Sequence, residues 1–241
     1  MSFSADTALQ ILKEGNRRYM IARPINPLPL RPDSQDFDAG QRPFAAVLTC
    51  ADSRLSPEII FDTDHGHLFV VRTAGNIASD FDLGSLEFSV LNRKNGGLGV
   101  NLIVVMGHEK CGAVEASQPG EINLPQYLNE IRMQVRENLN LRPGETSPRT
   151  LEEDTISNAQ KVARRLLGSK PISEALERGT LKIVEAYYKF NGEVFFSPEI
   201  PTDPLEKLQK KWTTNVTIPP KTPIPDPNGG LHLLPPVRPQ A

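Results

Sequence analysis

The segment FAAVLTC, residues 44–50, decides the fold class together with two similar segments, LFVVR (68–72) and LIVVMG (102–107). Each is a short, nearly continuous run of apolar residues rather than an alternation of apolar and polar ones. Such runs are typical of strands that are buried on both faces of a parallel sheet. A weaker run, LKIVEAYY (181–188), predicts a fourth strand. We therefore expect an α/β fold.

Helical patterns and a turn signal complete the predicted sheet. Segments 82–93 and 150–171 carry apolar residues at helical spacing. The second opens with a Thr150–Glu153 capping box and closes with Gly168 before Pro171. The pair Asn191-Gly192 stands between two apolar runs and predicts a two-residue hairpin turn, so the last strand should be antiparallel. The expected architecture is a central, mostly parallel β-sheet of about four parallel strands plus an antiparallel edge strand, flanked by helices, with an N-terminal helical arm.

Composition changes at both ends of this α/β region. Residues 7–20 have helical periodicity, and RPINPLPLRP (23–32) holds four prolines in ten residues. We divide the chain into an N-terminal helix and proline-rich arm (1–42), an α/β domain (43–197) and a proline-rich C-terminal extension (198–241). The extension holds half of the 22 prolines, cannot form a packed core of its own and is a candidate for binding a partner.

Charge and hydropathy narrow the class of protein. The formal net charge is −2, and acids and bases are interspersed without a basic stripe, so we expect no nucleic-acid partner. The N-terminal residues lack the apolar core of a secretory signal, and no apolar run approaches the length of a membrane span, so we expect no membrane partner. We expect a cytoplasmic protein with reduced cysteines.

The only two cysteines lie at the ends of predicted strands. Cys50 ends the first strand, and Cys111 follows His108 by three residues in GHEKCG. If the two strands are neighbours, these side chains meet at the carboxyl edge of the sheet, where sites are built in parallel sheets. Two thiolates and one imidazole suit zinc and leave a fourth position for water or substrate. Taken singly, either cysteine could instead be a small buried hydrophobe, and Asp52 could be a further ligand.

The motifs around the cysteines resemble those of the β-class carbonic anhydrases. That family carries Cys-x-Asp-x-Arg after its first strand and His-x-x-Cys after a later one, as do CADSRL (50–55) and GHEKCG (107–112) here. The segment LFVVRTAGNI (68–77) is similar to the family's FVVRNAGN segment, and GTLKIVEAYYKFNGEVFF (179–196) is similar to its closing strand and hairpin. The resemblance covers most of residues 7–197.

The resemblance implies a zinc enzyme that reversibly hydrates CO₂ to bicarbonate. It implies one Zn²⁺ per chain, with Cys50, His108 and Cys111 as its ligands. It also implies that Asp52 orients the zinc-bound hydroxide while Arg54 holds that carboxylate ionised and away from the metal. The simpler alternative for Asp52 and Arg54 is a solvated ion pair in a loop.

The resemblance also implies a substrate pocket and an assembly. Gln41 would donate a hydrogen bond to substrate, Phe69 would form an apolar wall of the pocket, and Gly112 would let the backbone approach the substrate. Their ordinary alternatives are a surface loop residue, a core aromatic and a turn glycine. Members of the family associate at least as dimers with the cleft against the neighbouring subunit, so we expect a homodimer or a higher oligomer.

Two other functions are compatible with the same scaffold and zinc ligands. Hydrolases of COS or CS₂ resemble this family and keep its zinc and its Asp–Arg pair, and a non-catalytic zinc-bound bicarbonate sensor is a third interpretation.

One branch of the family binds regulatory bicarbonate with a tryptophan, an arginine and a tyrosine. Val47 stands at the tryptophan position here, although Arg72 and Tyr187 or Tyr188 could fill the other two, so we predict no such switch.

Overall fold

The apolar runs form a five-stranded sheet in the order β2-β1-β3-β4-β5. The computed structural model describes residues 3–26, 40–118 and 124–197. The first four strands run parallel and β5 pairs antiparallel with β4, which confirms the predicted sheet. The strands are β1 Ala45–Cys50, β2 Leu68–Thr73, β3 Leu102–His108, β4 Lys182–Tyr188 and β5 Val194–Phe196.

The two central strands explain the unbroken apolar runs. Every residue of β1 and of β3 is buried, because helices cover both faces of the sheet at this point. The strand β2 lies at the sheet edge and is only partly buried. Since β1 and β3 are hydrogen-bonded neighbours, their carboxyl ends lie side by side.

Seven α-helices are described around this sheet: α1 Ala5–Met20, α2 Pro57–Ile60, α3 Asp80–Val90, α4 Gly112–Glu115, α5 Gln126–Asn138, α6 Leu151–Arg165 and α7 Lys170–Glu177. The Thr150–Glu153 capping box is present at the start of α6. The helix predicted to open at Thr150 and to close at Gly168 before Pro171 is α6 followed by a 3₁₀ turn, Leu166–Gly168. Ser169 has extended backbone and caps α7, so the helix ends there.

Side chains alternate between the two faces of the sheet along each strand, and they form one apolar core on each face. On one face Ala46, Leu48 and Ile103 join apolar residues of α3, α6 and α7. On the other face Val47 and Val104 join apolar residues of α1 and α2. A third, smaller apolar cluster surrounds the two cysteines at the carboxyl edge.

The hairpin between β4 and β5 lies where Asn191-Gly192 predicts it, but its loop is one residue longer than predicted. Lys189 donates its backbone N–H to the Glu193 carbonyl at 2.9 Å, which leaves residues 190–192 as a three-residue loop. Gly192 has a φ of 100°, which permits the bulged form of such a loop. The extra residue is Phe190, which therefore lies outside the ladder.

Some sequence predictions fall on parts of the chain that lie outside the described residues. These are most of the proline arm and the C-terminal extension from 198 onward. Among the residues that the structure describes, no helix combines the length and the apolar character needed to cross a membrane.

Candidate metal centre and catalytic pair

Cys50, His108 and Cys111 meet at the carboxyl edge of the sheet. Cys50 ends β1 and His108 ends the neighbouring β3, while Cys111 immediately precedes α4. Their candidate ligand atoms all lie within 4.8 Å of one another, and all three residues are buried. The sheet therefore brings together the three side chains that the sequence proposes as metal ligands.

The imidazole of His108 is oriented for a metal. Its Nδ1 lies 2.9 Å from the backbone carbonyl of Glu109, and a carbonyl oxygen only accepts, so Nδ1 carries the proton. Its Nε2 is buried and has no hydrogen-bond partner within the described part of the chain. A buried imidazole nitrogen with a free lone pair, next to two sulfurs, fits a metal ligand whose other nitrogen is fixed by the backbone.

The sulfur of Cys50 is stabilised as a thiolate. The Cys111 side chain hydrogen-bonds it and, together with His108 and the backbone N–H groups of Asp52 and Gly75, lowers the pKa of the Cys50 thiol to about 4 against the opposing effect of burial. The contact with Cys50 and burial raise the pKa of Cys111. A divalent cation would balance the charge of two thiolates, and two sulfurs with one imidazole are a donor set that fits Zn²⁺.

A chain of buried hydrogen bonds connects Cys50 to the helices α6 and α5. The N–H of Gly75 lies 3.3 Å from the Cys50 sulfur, and the carbonyl of Gly75 accepts a hydrogen bond of 2.8 Å from Asn158 Nδ2. Asn158 is fully buried in α6 and accepts in turn from Asn138 Nδ2 at 2.8 Å. Sequence reasoning missed Gly75, Asn158 and Asn138, since no local pattern marks them.

Asp52 and Arg54 form a two-pronged ion pair beside the metal ligands. Arg54 donates from its backbone N–H and from Nε to Asp52 Oδ1, both at 2.9 Å, and from Nη2 to Oδ2 at 2.6 Å. The Arg54 guanidinium holds the pKa of Asp52 well below its usual range. Among the described residues the Asp52 carboxylate is not part of the three-ligand cluster.

Arg72 fixes the backbone that carries this pair. Its Nη2 donates to the carbonyl of Asp52 at 2.6 Å and its Nε to the carbonyl of Cys50 at 3.2 Å. The sequence suggested Arg72 only as a possible part of a bicarbonate switch. Its contacts instead hold the loop between a metal ligand and the carboxylate.

The three residues predicted to bind substrate occupy different ends of the sheet. Gly112 is exposed, follows Cys111 directly and has nothing within 4 Å of its would-be Cβ, so the backbone is open to a ligand there. Phe69 pairs with Ala46 near the amino end of β2, and its ring packs 6.1 Å from that of Phe88. Gln41 is exposed and precedes β1. One chain therefore brings Gly112, but neither Phe69 nor Gln41, to the metal ligands.

A buried three-ligand cluster and a neighbouring carboxylate–guanidinium pair, at the carboxyl edge of an α/β sheet, define the class of a metal-dependent α/β enzyme. Residues 45–194 match the family model described as carbonic anhydrase. The chain is 37% identical over 187 residues to carbonic anhydrase 2 of Mycobacterium tuberculosis, an alignment that covers 76% of this chain and 88% of the relative. It is 35% identical over 191 residues to the carbonic anhydrase of Mycolicibacterium smegmatis, covering 78% and 90%.

Solved structures agree with these relatives. The β-carbonic anhydrase of Coccomyxa, solved in complex with acetazolamide, matches with a TM-score of 0.60 and 27% identity over 70% of this chain and 79% of that one. The β-carbonic anhydrase CcaA matches with a TM-score of 0.56 and 25% identity, covering 70% and 82%. The chain belongs to the β-carbonic anhydrase family. These matches give no support to the alternative of a COS or CS₂ hydrolase.

Proposed function

We propose that this chain is a zinc-dependent carbonate dehydratase, which catalyses the reversible reaction of CO₂ with water to give bicarbonate and a proton. The observation that carries the proposal is the buried cluster of Cys50, His108 and Cys111 with the Asp52–Arg54 pair beside it. A bicarbonate sensor would need the metal ligands but not a carboxylate held in place by two guanidinium nitrogens.

One Zn²⁺ per chain is the cofactor that these ligands suit. When bound, the ion supplies Lewis acidity that makes a water molecule ionise near neutral pH. Two thiolate ligands neutralise its charge, so the ionisation should occur at a higher pH than with three neutral imidazoles. Cys50, His108 and Cys111 would hold the ion, and a set of three protein ligands is the one that catalytic zinc sites use.

Asp52 orients the reacting water. Its Oδ1 already accepts two hydrogen bonds from Arg54, whereas Oδ2 accepts only one and retains acceptor capacity. Because Arg54 keeps the pKa of Asp52 far below neutral, the carboxylate stays an acceptor over the whole working range. Asp52 Oδ2 thus accepts the hydrogen of the nucleophile and directs its lone pair at the CO₂ carbon.

Gln41 and Phe69 support an assembly of at least two chains. Phe69 lies four residues before the carboxyl end of β2, about 13 Å at the rise of a parallel strand. Gln41 precedes β1, at the end of that strand opposite to Cys50. If both residues contact substrate, as the family resemblance implies, they do so at the metal centre of a second chain, while Gly112 acts within its own.

We place the enzyme in the cytoplasm. Both cysteines are free thiols in the structure, and a site that needs two thiolates is compatible with a reducing compartment. The proline-rich extension remains a candidate partner-binding segment outside the described residues.

Stopped-flow CO₂ hydration by protein of known zinc content tests the proposal. We expect turnover that rises with pH to a plateau, and its loss in Asp52→Ala, which should keep its zinc because Asp52 is outside the ligand cluster. Zinc-loaded protein without turnover would contradict the proposal, and COS hydrolysis measured on the same sample would then identify the sulfur hydrolase.

A further inference from the structure

Arg54 is held by two partners, of which the family resemblance accounts for only Asp52. Its side chain is about half exposed, at 52%, and an exposed ion pair alone fixes a long side chain weakly. The second partner is the ring of Phe190, whose centroid lies 4.1 Å from the Arg54 guanidinium carbon. At this distance the planar cation is attracted by the π face of the ring.

Phe190 is itself fixed by three contacts. Its backbone N–H donates to Glu109 Oε2 at 2.9 Å. Its ring centroid lies 6.1 Å from that of Tyr188 in an edge-on arrangement and 5.9 Å from that of the metal ligand His108. The longer hairpin loop makes this possible, because Phe190 stands outside the β4–β5 ladder and is free to face the loop that carries Arg54.

Glu109 connects these contacts to the metal centre. Its carboxylate holds the backbone of Phe190, its own N–H donates to the Tyr188 carbonyl at 2.8 Å, and its carbonyl accepts from His108 Nδ1. The same residue therefore orients both the imidazole and the hairpin loop. A displacement of the Phe190 ring would change its contact with the Arg54 guanidinium and its contact with the His108 ring.

We propose that Phe190 is a positioning residue for catalysis, whose ring holds the Arg54 guanidinium in the orientation that fixes the Asp52 carboxylate. This proposal rests on the proposed function, since Asp52 acts there as the group that directs the nucleophile. Removing the ring leaves Arg54 with one partner, so the carboxylate samples positions from which it cannot direct the lone pair. His108 keeps the hydrogen bond from its Nδ1 to the Glu109 carbonyl, so we expect unchanged zinc content.

The test compares Phe190→Leu with Phe190→Trp and with a matched control in the same hairpin. Phe195→Leu is that control, because the ring of Phe195 also lies under a cation, Lys189 at 5.2 Å, but that contact involves no group of the metal centre. We expect Phe190→Leu to lower kcat for CO₂ hydration roughly three- to tenfold at unchanged zinc content. Phe190→Trp should restore it, and Phe195→Leu should leave it unchanged.

A double-mutant cycle identifies the partner. Arg54→Lys keeps the charge but loses the planar face, so Phe190→Leu should have little further effect on kcat in that background. An equal loss in both backgrounds would overturn the proposal, since the ring would then act through His108 or through the hairpin. Unchanged kcat in Phe190→Leu alone would overturn it as well.

An NMR readout separates this proposal from the proposed function. The Arg54 Nε–H resonance, assigned by its loss in Arg54→Lys, should be shifted upfield by the ring current of Phe190 and return towards the ordinary position in Phe190→Leu. If that shift is present and the wild-type protein does not hydrate CO₂, the proposed function fails while the positioning stands. If the wild type hydrates CO₂ and the shift is absent, the positioning proposal fails alone.

Discussion

Asn158 connects α6 to the candidate metal centre through Gly75. Replacing it by alanine removes the donor to Gly75 and frees the backbone that directs an N–H at the Cys50 sulfur. We expect Asn158→Ala to lower the free energy of unfolding by about 1–3 kcal/mol, because buried partners lose their hydrogen bonds. We also expect zinc affinity to fall roughly tenfold, as for other groups that support a metal ligand. Denaturant unfolding and zinc competition with a chromophoric chelator measure the two effects.

Asn16→Ala is the matched control for this prediction. Asn16 is another buried asparagine. It donates to the carbonyls of Ile60 and Gly192 and accepts from the Val194 N–H, but it lies in α1 on the other face of the sheet. It should lose stability to a similar extent and keep its zinc affinity. Equal weakening of zinc binding in both variants would show that global stability, not the hydrogen bonds through Gly75, sets the affinity.

The sequence could indicate those site residues that belong to short contiguous motifs. Cys50, His108 and Cys111 follow strands that periodicity locates, and neighbouring parallel strands then bring them together. Asn158 could not be found in this way, because it lies 83 residues from the Gly75 carbonyl it binds. Phe190 was read only as part of a hairpin, since one additional loop residue decides where its ring lies.

At the scale of elements, the attachment of α1 depends on close backbone contact. A Cβ added at Gly15 would lie 1.8 Å from the carbonyl oxygen of Phe61, so the helix would have to move away from the core. We expect Gly15→Ala to lower the free energy of unfolding by about 1–3 kcal/mol or more, as overpacking does, despite the better helix propensity of alanine. Urea unfolding followed by circular dichroism measures the change.

Gly84→Ala provides the comparison within α3. A Cβ at Gly84 meets nothing within 4 Å, so only the propensity gain should remain. That variant should be more stable by roughly 0.5–1 kcal/mol. If both alanine variants were stabilised, the contact between α1 and Phe61 would not be a tight one in solution.

A second attachment of α1 depends on pH. Asp62 accepts hydrogen bonds from the backbone of Ile25 and Asn26 and from the Arg18 side chain. Burial opposes its ionisation, but these hydrogen bonds outweigh burial and lower the pKa of Asp62 below its usual value. The resulting stabilisation is therefore complete above the unfolded-state pKa of about 3.9 and is lost as the pH falls through the lower folded-state pKa.

Asp62→Asn isolates this contribution. The variant should be less stable than the wild type at pH 6, and the difference between the two should shrink as the pH is lowered from 5 towards 3. Urea unfolding at a series of pH values gives both curves, and the other carboxylates cancel in their difference. A difference independent of pH would contradict the prediction, because it would mean that Asp62 binds the same number of protons in both states.

The elements that were predicted well are those whose burial is complete. The strands β1 and β3 were located because they are buried on both faces and leave unbroken apolar runs. The edge strand β2 is only partly buried but still keeps the apolar run LFVV. The helix α5 was not found, since only Val135, Arg136 and Asn138 of its residues are buried and no apolar stripe results. The break between α6 and α7 was predicted because Gly168 and Pro171 flank the extended Ser169.

At the scale of the whole molecule, the two edges of the sheet carry different parts of the proposed site. The proposed metal ligands and the Asp52–Arg54 pair lie at the carboxyl edge, whereas Gln41 and Phe69 lie towards the amino edge. A pocket that uses all of them requires two chains that place opposite edges together. Activity should therefore be a property of the assembly and not of the isolated chain.

Mixing two inactive variants tests this arrangement. Asp52→Ala removes the carboxylate, and Gln41→Ala removes a substrate hydrogen-bond donor, which should cost about a hundredfold or more in kcat. When the two proteins are unfolded together and reassembled at equal amounts, random assortment gives about a quarter of sites with both residues intact. CO₂ hydration should rise to roughly that fraction of the wild-type rate.

A mixture of Asp52→Ala with Arg54→Ala should not recover, because both residues act from the same edge. Activity no higher than the mean of the two unmixed variants would place Gln41 within its own chain's site or outside any site, and the two-chain pocket would be wrong.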